Sequence, residues 1–355
     1  MRKQKSLSEC SRRRLRLLLS GGSAGRLTDA ENSMNAPRVF RLAVWTAAFL
    51  WIFVAHAGEP NWPEHLTIGT ASHGGTYYVY GEGLAKILTD ALDLPVAILP
   101  TDGPAQNIEL LESGEAKIGF VTIGIALQAW NGTGIWATRK PARSMRAIFP
   151  MYDTPFQFLV LQGSNIRSLT EMAEKRIGIG PRGGTAGVYV PEFFKVLKMS
   201  AHFAYGEWVD LAAQFQNKEL DGLAVGAGVP FPSFLELEKK NNIRYIPLAD
   251  DQIAALRLAM PELAPSSIPP GIYLSLNRPY QTVGLYNFAV AHQDLPDDLV
   301  YQVVRTVFEK HEQMMGFHAA AAATIPANIE RNSFLPLHPG AIRYFRTIGR
   351  AGQRD

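Results

Sequence analysis

The chain has 355 residues, 47% of them hydrophobic and 19% charged. That length exceeds what one small core needs, and the composition is that of a folded globular protein. The formal charge of +3 misleads, because the first 57 positions hold ten basic residues against three acids. The remaining 25 bases and 29 acids leave −4, which removes the main support for a nucleic-acid partner.

The basic excess belongs to a leader. From Met34 the chain reads MNAPRVFRLAVWTAAFLWIFVAHAGEP. Arg38 and Arg41 form a positive segment, Leu42 to Val54 an apolar one, and Ala55-His56-Ala57 a small-residue cleavage signal. The apolar run falls short of the roughly 20 residues that span a bilayer. The expectation is a secretory signal peptide cleaved after Ala57, translation from Met34, and a periplasmic mature protein. Cys10, the single cysteine, lies in this leader, so disulfides, thiolate metal ligands and a Cys nucleophile are excluded from the exported chain.

Beyond the leader, strand and helix alternate, the mark of an α/β class. A strand at Leu66–Gly69 runs through "TASHGGT" into a helix from about Tyr78. Tyr80, Leu84, Ile87, Leu88 and Ala91 fall on its buried face at spacings of three and four. A strand at 96–99, a helix at about 105–113 and a strand at 118–122 follow. The segment "RAIFPMYDTPFQFLVLQ" (146–162) is apolar, extended and broken by prolines, and is expected to cross between two lobes. A second half echoes the first: a strand at 176–180, the loop "GPRGGTAG", a helix holding Phe193, Phe194, Val196 and Leu197, a helix at 209–218 and a strand at 223–225. A return crossing is expected at "SIPPGIYLSL" (267–276), and a helix over 297–313 buries Leu299, Val303, Val304, Val307 and Phe308. Lobe I then comprises 64–148 with 277–355 and lobe II 155–268, with hinge crossings near 149–154 and 269–276.

Most catalytic and nucleotide-binding signatures fail on inspection. "GTASHGGT" (69–76) resembles a phosphate-binding loop, but Gly75 stands where the lysine belongs. "GIGPRG" (178–183) fits a dinucleotide fingerprint, yet Pro181 interrupts the turn and the expected acid after a following strand is missing. His311 and His318 are seven apart, with no carboxylate between them at ligand spacing beyond Glu312, and read as surface histidines. No nucleophile elbow occurs. No enzyme activity, cofactor or metal is expected.

What remains is one Gly/Thr-rich loop in each half, each opening a helix. Unpaired N–H groups and the positive helix end favour a small anion, most simply a carboxylate. Arg182, inside the second loop, either pairs with that carboxylate or faces solvent.

Five segments in order, "IGTASHGGTYYVYGEGLAKIL", "TDGPAQNIELLESGEAKIGFV", "IGPRGGTAGVYVPEFFKVL", "AVGAGVPFPSFLELE" and "LPLHPGAIRYFRTIG", resemble the TAXI family of TRAP-transporter solute receptors. The resemblance runs from about Leu66 to Gly349. It implies a type II periplasmic-binding-protein-like fold, with two α/β lobes joined by hinge strands and a ligand cleft between them. It also implies a monomer that captures a small organic carboxylate and passes it to TRAP-type membrane permease subunits. Carried over by position, the ligand-facing residues are Gly74, Gly75, Thr76, Tyr77 and Tyr78 in the first loop. Asp102, Gln106, Asn107 and Thr122 come from the following elements, and Gly183, Gly184, Thr185 and Ala186 from the second loop. Tyr77 and Tyr78 divide into one ligand-facing and one core aromatic, since adjacent helix positions diverge by ~100°.

Two departures matter. Gly103-Pro104 replaces the family's Gly-Ser, and Thr122-Ile123-Gly124 replaces its Gln-Ser-Asp. Both make the first-lobe wall less polar, favouring a mono- or dicarboxylate over an amino acid, unless Asp102 supplies an acceptor; otherwise Asp102 serves as a cap or turn residue. Tyr152 and Tyr273 belong either to the cleft floor and hinge or to the core. A membrane-signalling sensor and an exported enzyme are the alternative uses of the same fold.

Overall fold

The computed structural model describes residues 61–350; the leader, the Met34 start and the cleavage site lie outside the described residues. In the first half, β1 (Leu66–Gly69), α1 (Thr76–Leu92), β2 (Val96–Leu99), α2 (Pro104–Ser113), β3 (Ile118–Thr122) and α3 (Ile123–Asn131) follow one another. Helix α1 buries Tyr77, Tyr80, Leu84, Ile87 and Leu88, as its spacing demands. Ala91 is exposed instead; the helix ends two residues later at Asp93, which takes a left-handed conformation (φ 50).

Strand β4 (Met145–Leu161) is 17 residues long and buried along nearly all of its length. Residues buried on both faces explain why it reads as a continuous apolar run rather than an alternating one. Its first part pairs with a later antiparallel strand, β10 (Tyr280–His292). Its last part, from Phe156, pairs with β7 (Gly222–Gly226) and β8 (Ile243–Tyr245). Pro150 has no N–H to give the ladder, and the register with β10 shifts on both sides of its partner Phe288, as a proline within a sheet requires.

The second half adds β5 (Arg176–Gly178), α4 (Thr185–Val196), β6 (His202–Ala204), α5 (Trp208–Gln216), α6 (Pro232–Glu238), α7 (Asp250–Ala259) and β9 (Ala264–Ile268). The strand order is β2-β1-β3-β10-β4-β7-β5-β6. Each outer triplet is parallel, while β10 and β4 in the middle are antiparallel to each other and to their neighbours. Two parallel α/β sectors are thus threaded by two long strands.

The second of these strands is β10, not the segment expected at 267–276. Residues 269–276 form turns after β9, and Tyr273 is buried against Tyr245, stacked at 4.9 Å, with its hydroxyl bonded to Gln157. The C-terminal helix also divides: α8 (Asp297–Glu309) ends at Lys310 and α9 (His311–Phe317) follows. The expected Leu299, Val303, Val304 and Val307 are buried on α8, and α10 (Pro339–Thr347) packs beside it. Ala319–Ala323 is a short 3₁₀ helix. Among the described residues no helix is long and apolar enough to cross a membrane, and no cluster of three or more His, Cys, Asp or Glu side chains is placed to hold a metal ion.

Candidate functional site

The two glycine loops meet. Gly74 takes φ +79, which the left-handed region grants to glycine without strain, and Gly75 then caps α1 without any capping side chain. Gly184 does the same for α4, again with no side-chain cap. The first-turn N–H groups of both helices therefore have neither an intrahelical acceptor nor a capping oxygen. Both turns line a single cavity of about 50 Å³, with Gly75, Thr76 and Tyr77 on one side and Gly184, Thr185 and Ala186 on the other.

Hydrogen bonds hold the two sides together. Thr76 Oγ1 donates to the Gly228 carbonyl at 2.8 Å. Ala105 N–H donates to the Gly183 carbonyl at 3.2 Å. Ser233 donates its N–H and its hydroxyl to the Gly74 carbonyl, at 3.2 and 2.9 Å. The approach is close enough that a methyl group on Gly103 would stand 3.1 Å from Gly184 Cα.

The floor is a buried polar chain. Tyr77 Oη donates to Asn287 Oδ1 at 2.7 Å, and Asn287 Nδ2 donates to the Tyr152 carbonyl at 2.8 Å and to Thr154 Oγ1. Burial holds the Tyr77 phenol far above its ordinary pKa, so it stays a neutral donor. Thr154 lines the cavity, as do the apolar side chains of Ile179, Pro181, Trp208 and Phe231. Trp208 and Phe231 pack edge to face at 5.0 Å. No Lys, Arg or His lines the cavity among the described residues, and Asp102 is its one charged lining residue. The Ser72 hydroxyl is buried at the wall with no hydrogen bond of regular geometry and faces the Glu207 carboxylate. That carboxylate is pushed above its usual value by desolvation, then by the charge of Asp102, with Ser72 and His73 acting in the opposite direction.

Of the residues expected to face a ligand, Gly75, Thr76, Tyr77, Asp102, Gly184, Thr185 and Ala186 line the cavity. The others do not, each for a visible reason. Gly74 offers its carbonyl to Ser233. Tyr78 turns outward onto His73, with ring centroids 4.4 Å apart, so it is not the core aromatic that the expected division requires; Tyr77 is itself buried while lining the cavity. Gln106 accepts the Asp102 N–H at 2.8 Å. Asn107 braces the sheet ends, its amide donating to the Thr70 and Phe120 carbonyls at 2.8 Å each while its Oδ1 accepts from Thr101. Thr122 is buried beneath, its hydroxyl without a partner. Gly183 gives its carbonyl to Ala105, and Arg182 lies 4.0 Å over the Tyr205 ring. Tyr152 belongs to the core, 5.3 Å from Tyr80.

The departure at Gly124 also has a local cause. A methyl there would fall 2.1 Å from the Tyr189 hydroxyl, which reaches across from α4 and donates to Glu262 at 2.9 Å. The space for a side chain at 124 is already filled. The residues that sequence reading missed are Ser72, Thr154, Ile179, Trp208, Phe231 and the end of β7 with the residues after it, Val225 to Gly228. Only the last carried a signal, a strand ending in the glycine pair of "AVGAGVP".

Two α/β halves joined by paired long strands, with helix starts turned onto a shared cavity, define a type II periplasmic-binding-protein-like architecture. The fold is similar to that of MatC (Rpa3494) from Rhodopseudomonas palustris, solved with bound malate: 11% identity, 81% of this chain and 96% of that chain covered, TM-score 0.53. An ancestral arginine-binding protein bound to arginine (12%, 74% and 99%, 0.46) and the periplasmic aliphatic sulphonate binding protein SsuA from Escherichia coli (13%, 81% and 90%, 0.42) align less well. Residues 68–349 match the NMT1-like family, and the chain belongs to that family.

Proposed function

We propose that the protein is an extracytoplasmic solute receptor of the TAXI type, which takes up a small organic carboxylate by closing its lobes and delivers it to a TRAP-type permease. One observation carries the reading: the uncapped starts of α1 and α4, one from each half, line the same cavity. A carboxylate there accepts hydrogen bonds from amides that otherwise have no partner, at the positive ends of two helices. Because Thr76, Ala105 and Ser233 bond across the cleft, the site is complete only with the lobes together, so a ligand that prefers the closed state drives closure. Two lobes near 64–148 and 155–268, with β4 and β10 as the crossings and the chain after β10 returning to the first lobe, the signal peptide and the periplasmic location belong to the same reading. Malate in the MatC structure agrees with a carboxylate ligand. A cavity without a basic side chain favours one carboxylate over two.

A thermal-shift screen of small organic acids on the exported chain tests this. Saturation at 100 times the dissociation constant adds about 2.7 kcal/mol of apparent stability. A folded chain that no small acid stabilises would overturn the proposal.

A further inference from the structure

The cavity carries more than an anion cradle. Asp102 stands at its edge, pressed against the opposing loop: a methyl on Gly183 would lie 3.3 Å from Asp102 Cβ. Glu207 does not line the cavity; its carboxylate faces the Ser72 hydroxyl on the wall and is raised in part by the charge of Asp102. The buried Ser72 hydroxyl lines the same cavity and, apart from facing that carboxylate, has no hydrogen bond of regular geometry. An acidic edge and a hydroxyl with room to accept a hydrogen bond, lining one cavity with two positive helix ends, are complementary to a molecule with both signs of charge.

Resting on the receptor reading above, we propose that the ligand is a small zwitterion, an α-amino acid with a short uncharged side chain. Its carboxylate is held by the α1 and α4 starts, its ammonium by Asp102 with Ser72 beside it, and its side chain by Ile179, Trp208 and Phe231. Charge selects this class. A second carboxylate would meet either Asp102 or the apolar wall, with no cation lining the cavity to compensate it. Size selects the short side chain: at roughly 10–15 Å³ per water-sized group, a cavity of about 50 Å³ holds only a few such groups. The acceptor that the Thr122–Gly124 segment lacks is supplied from a different place, since Thr122 does not line the cavity at all.

Calorimetric titration of the exported chain near neutral pH decides the matter, with glycine, L-alanine and L-serine set against their nitrogen-free counterparts glycolate, propionate and lactate, and against succinate. At least one amino acid binds, and its nitrogen-free counterpart binds at least 30-fold more weakly. Asp102→Asn lowers the amino-acid affinity at least tenfold; circular dichroism confirms that the variant is folded. If propionate, lactate or succinate binds as tightly as the amino acids, or if Asp102→Asn has no effect, the zwitterion is wrong while the carboxylate receptor stands. If none of these probes binds the folded chain and the wider acid screen is also silent, both proposals fall.

Discussion

Thr76 and Gly228 lie 152 residues apart, yet the Thr76 hydroxyl donates to the Gly228 carbonyl at 2.8 Å within the buried wall of the cleft. This bond joins the start of α1 to the turn after β7, one from each half of the sheet. Thr76→Val keeps the shape of the side chain and removes the donor. Leaving a buried carbonyl without its partner costs about 1–3 kcal/mol, which a lower urea midpoint would report. Thr76→Ser, which keeps the hydroxyl, should recover most of the loss. Equal midpoints for all three proteins would show that the bond contributes nothing to the closed form.

Gly103 has φ +114, and a methyl there would come within 3.1 Å of Gly184 Cα and 3.4 Å of the Gly183 carbonyl. Neither neighbour is a flexible side-chain end, so Gly103→Ala must push the two loops apart and break the Ala105–Gly183 hydrogen bond. The expected result is at least a tenfold loss of ligand affinity, about 1.4 kcal/mol, with a larger radius of gyration in solution scattering. Gly163→Ala serves as the control, since nothing lies within 4 Å of that position. A Gly103→Ala protein that binds and scatters like the parent would remove this contact from the closure.

The elements were legible in the sequence where one physical signal dominated. The three-and-four spacing of Tyr80, Leu84, Ile87 and Leu88 fixes α1, and the largely apolar, proline-punctuated run of 146–162 fixes β4, because each signal is local in the chain. The return strand was misplaced: "SIPPGIYLSL" has the apolar character of a crossing, but its Tyr273 is used to fill the core beside Tyr245. At the site, the two glycine loops were visible because the same Gly/Thr pattern opens a helix in echoing positions of the two halves, where one such loop alone would read as a tight turn. Trp208, Phe231 and Ile179 were not, since an apolar side chain that lines a cavity looks like one that fills a core. Arg182 was ambiguous for a related reason. Its stacking on Tyr205 depends on a ring 23 positions away, which no local pattern reports.

Asn287 is fully buried on β10 and satisfies three groups at once: the Tyr77 hydroxyl, the Tyr152 carbonyl and Thr154 Oγ1. Asn287→Ala strands all three below the cavity, and a cost of about 2–4 kcal/mol follows. Tyr77→Phe leaves only the Asn287 oxygen without a donor and should cost less, about 1–2 kcal/mol. The double variant should cost clearly less than the sum, because the two residues share one bond. Strict additivity in a double-mutant cycle would contradict the network.

His338 is fully buried at the start of α10, where its Nδ1 accepts the Gly340 N–H at 3.2 Å. His318 is buried as well, with Nδ1 accepting from Ala320 N–H and Nε2 bonded to the Pro230 carbonyl at 3.0 Å. Burial is the main cause that lowers both imidazoles below the ordinary 6.5; Asp297 opposes it for His338 and the Pro230 carbonyl for His318. Below 6.5 the unfolded chain takes up protons that the folded one refuses. Stability is therefore whole above that value and declines as pH falls toward the depressed folded values. Asp153, whose carboxyl is raised by desolvation despite its bond to Ser266, acts in the opposite sense in the window just above its ordinary 3.8. His338→Asn keeps an oxygen to cap the Gly340 N–H and removes the titrating ring. Urea unfolding at intervals from about pH 5 to 7.5 should show a shallower acid decline for this variant than for the parent. Parallel curves would mean that His338 titrates alike in both states.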